Sequence, residues 1–117
     1  MIPNVSSNLS ALRAYGTKMG VIADNVANVN TDGYKKNQAV LREGPNQSVA
    51  VDIQKVDTPG AVYERYEGHE RVEKETSNVD LAEEFPAMMT TQHAYTANLK
   101  VLKTQDEVLG SLLDVVG

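Results

Sequence analysis

Apolar residues recur along the last third of the chain in steps of four and three. They fall at Leu81, Phe85, Met88, Tyr95, Leu99, Leu102, Leu109, Leu113 and Val116, with Gln92 and Asp106 in the two remaining positions of the series. The mean step of about 3.5 residues is the heptad spacing of a left-handed coiled coil. A helix from Leu81 to Val116 would be ~54 Å long at ~1.5 Å per residue. That is too long for a compact domain of this size, so the helix is expected to project beyond it. Ser77 or Asn78 is available to cap it, and Asp80, Glu83 and Glu84 sit where the helix dipole favours negative charge. Pro86 suits a first turn, which puts the start of regular helix near Phe85 with a looser turn ahead of it. Gly110 weakens the far end by ~1 kcal/mol. Gln92 and Asp106 either fix the register of a partner or face water.

The first quarter repeats the theme. Val5, Leu12, Met19 and Val26 are spaced by seven, and Leu9, Ile22 and Val29 fill the same stripe. This predicts a helix from about Ser7 to about Ala27, capped by Ser6 or Ser7. The segment DNVANVNTDGYKK closes it. Asparagine side chains compete with the backbone for hydrogen bonds and tolerate the left-handed conformation. Asn28 and Asn30 are therefore expected to stop the helix, with a turn at Asp32-Gly33. Asn25, one helical turn earlier, needs a partner on another segment or another chain if it is buried.

Between these helices, residues 36–76 read as strand and loop. Val49-Ala-Val51-Asp-Ile53 alternates with period two. Asp57-Thr-Pro59-Gly60 signals a turn, so Ala61-Val62-Tyr63 is expected to return as the second strand of a hairpin. Ala39-Val40-Leu41 is a weaker strand ended by Gly44-Pro45, giving a small three-stranded sheet. The mixed charge run Glu64 to Glu75 reads as a solvated strand or connector. The fold class predicted is mainly α, with long N- and C-terminal amphipathic coiled-coil helices flanking a short β insert. One structural unit then comprises the N-terminal helix and turn (1–35), the insert (36–76) and the long helix (77–117). The terminal helices pair, and the longer one keeps an unmatched apolar stripe. Leaving such a stripe in water forgoes ~1.5–3 kcal/mol per large side chain, so self-association is expected.

Composition narrows the function. The 117 residues carry a net charge of −5, which disfavours nucleic acid and anionic membrane surfaces as partners. No cysteine is present, which removes disulfides, thiolate metal sites and thiol catalysis. No stretch approaches the ~20 apolar residues of a membrane span, so membrane insertion is not expected. The N-terminal residues read as something other than a cleaved secretory leader. Catalytic chemistry has little to stand on. His69-Glu70 lacks the second histidine of a zinc-protease helix, and His93 reads as a helix-surface residue. Glu64, Glu67, Glu70 and Glu73 read as a solvated face. The chain is expected not to be an enzyme and to need no cofactor or metal.

Two segments resemble the bacterial flagellar rod and hook axial proteins. In DNVANVNTDGYKK, the residues Asn25, Ala27, Asn28, Asn30, Thr31, Gly33, Tyr34 and Lys35 match that family's N-terminal signature, with Asp24 and Asp32 as departures. Toward the C-terminus the similarity covers Ser77-Asn-Val-Asp-Leu-Ala-Glu-Glu-Phe85, Met89-Thr-Thr-Gln92, Ala94-Tyr95 and Ala97-Asn98, with His93 where arginine is usual. The short middle favours a small rod component, nearest in length to the FlgC type. The resemblance implies a structural subunit of the basal-body rod that leaves the cell through the flagellar type III export apparatus, without a cleaved signal. In the periplasm it would join copies of itself and other rod and hook subunits, through terminal helices that form a coiled-coil layer. It also implies intersubunit amide contacts for Asn25, Asn28 and Asn30, beside Gly33 and Tyr34 of the same motif. The stripe from Val5 to Val29 and that from Leu81 to Val116 supply the apolar interfaces. The rival reading is a soluble coiled-coil adaptor or export chaperone that holds a partner's amphipathic helix in a low, fixed oligomer. Ordered termini require either partner chains or a folded-back helical hairpin.

Overall fold

A computed structural model describes residues 4–116. Helix α1 spans Asn4–Ala27 and helix α2 spans Leu81–Val116, the full extent of the heptad pattern. Between them come β1 (Asn37–Glu43), β2 (Val49–Lys55), β3 (Val62–Glu67) and β4 (Glu70–Glu75). The predicted class holds: two long terminal helices flank small antiparallel sheets. The helices pack antiparallel. Asn8 Nδ2 donates to Gln105 Oε1 at 3.0 Å at one end, and Asn25 Nδ2 donates to Glu84 Oε1 at 3.3 Å at the other. Over their overlap the two helices thus form a folded-back hairpin within one chain.

The helix starts differ from expectation. Helix α1 begins three residues before Ser7, and the Ser7 hydroxyl bonds Gln47 O at 2.9 Å, the loop after β1, in place of capping. Helix α2 is capped by Asp80, whose Oδ1 accepts the Ala82 N–H at 2.9 Å. Ser77 instead accepts the Val79 N–H, and Asn78 is engaged elsewhere. Helix α2 runs through Pro86 with no looser turn ahead of it. The proline removes one N–H close to the start, and Ala82 and Pro86 are both exposed, so water can satisfy the freed carbonyl.

The strand pairing also differs. Strand β2 pairs with β1, in register from Asn37↔Lys55 to Glu43↔Val49, and not with the strand after Pro59-Gly60. Gly44 N–H donates to Ser48 O at 2.8 Å and closes that hairpin, whose loop holds Asn46 and Gln47 at positive φ. Strands β3 and β4 form a second ribbon across Gly68-His69, with Gly68 at φ 69°. The expected three-stranded sheet is therefore two separate ribbons. The Asp57–Gly60 segment is a crossing, not a hairpin turn. Gly60 lies so close to the Thr76 carbonyl that a Cβ there would clash with it. The charge run forms most of the second ribbon, with Glu64 bridged to Arg71, and Glu67 to Lys74 at 3.3 Å.

The β1–β2 ribbon lies along α1, where Ala11, Ala14 and Ala39 are buried. The Ser10 hydroxyl accepts the Val49 N–H at 3.0 Å. The β3–β4 ribbon is held at its base. Gly33 N–H donates to Glu75 O at 2.8 Å, Thr76 N–H to Ala61 O at 2.8 Å, and the Tyr63 hydroxyl to Asp32.

Two amides lock these parts together. Asn25 is 1% exposed. Its Nδ2 donates to Asn37 O (2.7 Å) and Glu84, and its Oδ1 accepts the Asn37 N–H (3.1 Å) and the Tyr34 hydroxyl (3.2 Å). One side chain thus ties α1, the turn, β1 and α2, and all its hydrogen-bonding capacity is used inside the chain. Burial, with the Asp24 and Glu84 carboxylates nearby, pushes the Tyr34 phenol upward, so it stays a donor. Asn78 does the same one layer away: Oδ1 accepts the Lys36 N–H (2.7 Å), and Nδ2 donates to Val56 O (2.8 Å) and Thr58 O (3.0 Å). Asn28 works locally, donating to Asp24 O at 2.8 Å and accepting from the Thr31 hydroxyl at 3.0 Å. Neither Asn28 nor Asn30 is left-handed; Gly33, at φ 75°, makes that turn. The stop is therefore side-chain bonding plus glycine.

Asn25→Ala removes that hub and leaves buried partners unsatisfied, so it is expected to cost about 2–4 kcal/mol, against within about 0.5 kcal/mol for the exposed Asn30→Ala. Chemical denaturation of the two variants checks this; equal losses would contradict it. A second expectation concerns pH. A hydrogen bond from Lys35, with the Gly60 N–H (2.8 Å) as the next cause, holds the Glu75 carboxyl below its usual range. A depressed folded-state value means that this contribution is present above the unfolded value and is lost as pH falls through the lower, folded one. Melting temperature should therefore decline on acidification below about pH 5, and Glu75→Gln should flatten part of that decline. An identical acid profile in the variant would contradict the assignment.

Candidate subunit interface

The face that α2 turns toward α1 is not the apolar seam. Glu84, Thr91, Asn98 and Gln105 stand seven apart, and Glu84 and Thr91 are 8% and 2% exposed. Ala87 and Ala94 lie beside them, half-buried. These side chains are small or self-satisfied: Thr91 bonds Ala87 O at 2.6 Å and Asn98 bonds Ala94 O at 2.8 Å, each four residues back. The same heptad line continues to Leu112, which no longer faces α1 and is 57% exposed.

The Leu81 to Val116 seam runs beside this contact face. Leu81, Met88 and Leu102 are half-buried, whereas Phe85, Tyr95, Leu99, Leu109 and Leu113 are exposed. Gln92 and Asp106 face water in the single subunit. On α1, Leu12 and Ile22 are buried within the chain, and Val5, Met19 and Val26 are half-buried, as is Val29 in the turn that follows. Leu9 is exposed. Leu12, Ile22 and Asn25, expected at a subunit interface, are buried within the single chain. Their contacts are spent on the β1–β2 ribbon and α2, because a helix between a ribbon and another helix is covered on two sides. Asn28 and Tyr34 are half-buried in bonds of their own chain, and Asn30 and Gly33 are exposed at the turn.

Between the helices this side forms a trough. One part is lined by Leu9, Thr96, Leu99, Lys100, Leu102, Lys103 and Asp106. A second is lined by Tyr15, Gly16, Met19, Gln92 and Tyr95. Leu9 and Gly16 are seven apart on α1, and Gln92, Tyr95, Leu99, Leu102 and Asp106 are successive seam positions on α2. Helical periodicity therefore puts both parts on one face. Past Gln105, every residue from Asp106 to Val116 is exposed. Val115 and Val116 reach 85% and 84%. This tail gives a long axis of 81 Å and a radius of gyration of 21.0 Å, against about 13 Å for a compact chain of this length. His69 and His93 are exposed on separate elements. Among the described residues, no three His, Cys, Asp or Glu converge on a metal site, and no helix is long and apolar enough to cross a membrane.

Sequence reasoning missed Asn78 and Asp80 in these roles. Asp80 was legible as an Asp two residues ahead of Ala82; nothing local marks Asn78.

Comparison with known proteins bears on what the seam is. Residues 5–35 match the family model "Flagella basal body rod protein", and residues 74–115 match "Flagellar basal body rod FlgEFG protein C-terminal". The two lie at opposite ends and together cover well over half of the chain. The flagellar hook protein FlgE of Borreliella burgdorferi is 28% identical over 94 residues, 80% of this chain and 21% of that protein. The basal-body rod protein FlgG of Bacillus subtilis is 36% identical over 50 residues, 43% of this chain and 19% of that protein. FlgE of Caulobacter vibrioides is 46% identical over 41 residues, 35% of this chain and 7% of that protein. The chain thus spans about a fifth or less of the length of these relatives. The matched regions are the two helices and the turn after α1, the elements that carry the trough, the tail and the Asn25 hub. With both terminal signatures present in order on a paired-helix frame, the chain belongs to the flagellar rod and hook family.

Proposed function

We propose that this chain is a structural, non-enzymatic subunit of the bacterial flagellar axis, placed in the basal-body rod. It associates with copies of itself and with other rod and hook subunits through its terminal helices. It reaches the periplasm through the flagellar type III export apparatus, uses no cofactor, and binds neither nucleic acid nor a bilayer core. The observation that carries this reading is the exposed apolar tail of α2 together with the trough at its root. Each Leu-sized side chain left in water there forgoes ~1.5–3 kcal/mol, which burial against a neighbour recovers. Length favoured the FlgC type; the match to the model described as FlgEFG supports a relation to those members instead.

Sedimentation velocity over a range of concentrations tests this. The wild-type chain should be monomeric when dilute and grow without a fixed stoichiometry as concentration rises. Leu112→Gln combined with Leu113→Gln should keep its helix content and stay monomeric. A discrete dimer or tetramer at every concentration would favour the coiled-coil adaptor, and undiminished assembly of the variant would overturn the reading.

A further inference from the structure

Resting on the reading that copies associate, we propose that the α2 tail of one copy seats in the lysine-edged trough formed by Leu9, Leu99 and Leu102 of a second copy. The tail cannot fill the trough of its own chain, because both belong to one continuous helix whose axis carries the tail away from it. The two surfaces match in three respects. Both are apolar at the centre: Leu109, Leu112 and Leu113 are exposed on the tail, as are Leu9 and Leu99 in the trough. Their lengths agree, since residues 107–116 span about 15 Å and residues 96–106 about 16 Å at the helical rise. Their charges are opposite. From Glu107 to Val116 the tail carries Glu107 and Asp114 and no basic residue. The trough is edged by Lys100 and Lys103, with Arg13 exposed one turn from Leu9 on α1 and Asp106 as its single lining carboxylate. On the β ribbons part of the charge is paired within each ribbon, as in Arg42–Asp52 and Lys74–Glu67.

Opposed charges around an apolar contact set partner and register and speed the encounter. The tail and the trough are different patches, so each copy offers one of each, and successive copies can join without exhausting either surface.

Charge reversal tests the pairing. One variant carries Lys100→Glu and Lys103→Glu, the other Glu107→Lys and Asp114→Lys. All four positions are exposed, so the fold should persist, with circular dichroism as the check. At low salt each variant alone should need about a tenfold higher concentration to associate. An equimolar mixture should associate at the wild-type concentration, because acidic troughs then meet basic tails and the reverse. Association of each variant at the wild-type concentration, or no recovery on mixing, overturns the proposal. If the charge variants behave as wild type while Leu112→Gln with Leu113→Gln stays monomeric, the tail mediates assembly but does not use this trough. If the leucine variant assembles, the functional reading falls with it.

Discussion

Two antiparallel helices of unequal length set the terms for everything else in this molecule. Helix α1 has 24 residues and α2 has 36. The amide pair Asn8–Gln105 marks where their overlap nears its end. Within the overlap, the heptad line facing α1 is Glu84, Thr91, Asn98 and Gln105. A helix pair held by such a face is close-packed and satisfied but buries little Leu, Phe or Met. The large side chains are displaced to the flank and to the tail. In a soluble monomeric hairpin the expected distribution is the reverse, with the apolar stripe in the seam and polar residues outside. The inversion leaves large apolar side chains uncovered in the single chain.

The amide hubs give that helix pair a fixed relation to the β ribbons. Asn25 and Asn78 both grip the short stretch Tyr34–Asn37, one from α1 and one from the segment before α2. A buried network of this kind is worth having only when every group is satisfied. Among the described residues, no buried side-chain nitrogen or oxygen lacks a partner. The ribbons are small and would be marginal alone. Anchored this way, the β1–β2 ribbon lies along α1 and the β3–β4 ribbon is held at its base.

Much of this was legible in the chain, for identifiable reasons. The heptad series marked the extent of α2, because a long amphipathic helix declares itself many times over, although Pro86 pointed to a regular start near Phe85, four residues too late. The Val5 to Val29 stripe located α1, and the unmatched apolar excess followed from comparing the two lengths. The strand partners were not legible. Pro59-Gly60 looks like a hairpin turn locally, and only the closeness of Gly60 to Thr76 shows that it is a crossing. The side of α2 that faces α1 was not legible. Apolar periodicity reports where large side chains lie, not which face a partner chooses, and here the partner chose the polar neighbour line. Asn25 was recognised as unexplained but assigned outward. Its four hydrogen bonds reach three residues, up to 59 positions away, which no local pattern records.

The central claim is that the end of α2 is bare in the single subunit and covered only by another copy. Amide hydrogen exchange of Leu109–Val116, compared between dilute and assembled chain, tests it most directly. The account predicts fast exchange in this segment when dilute and strong protection on assembly, while Ala11–Ile22 stays protected in both. Equal protection of Leu109–Val116 in the two states would contradict it.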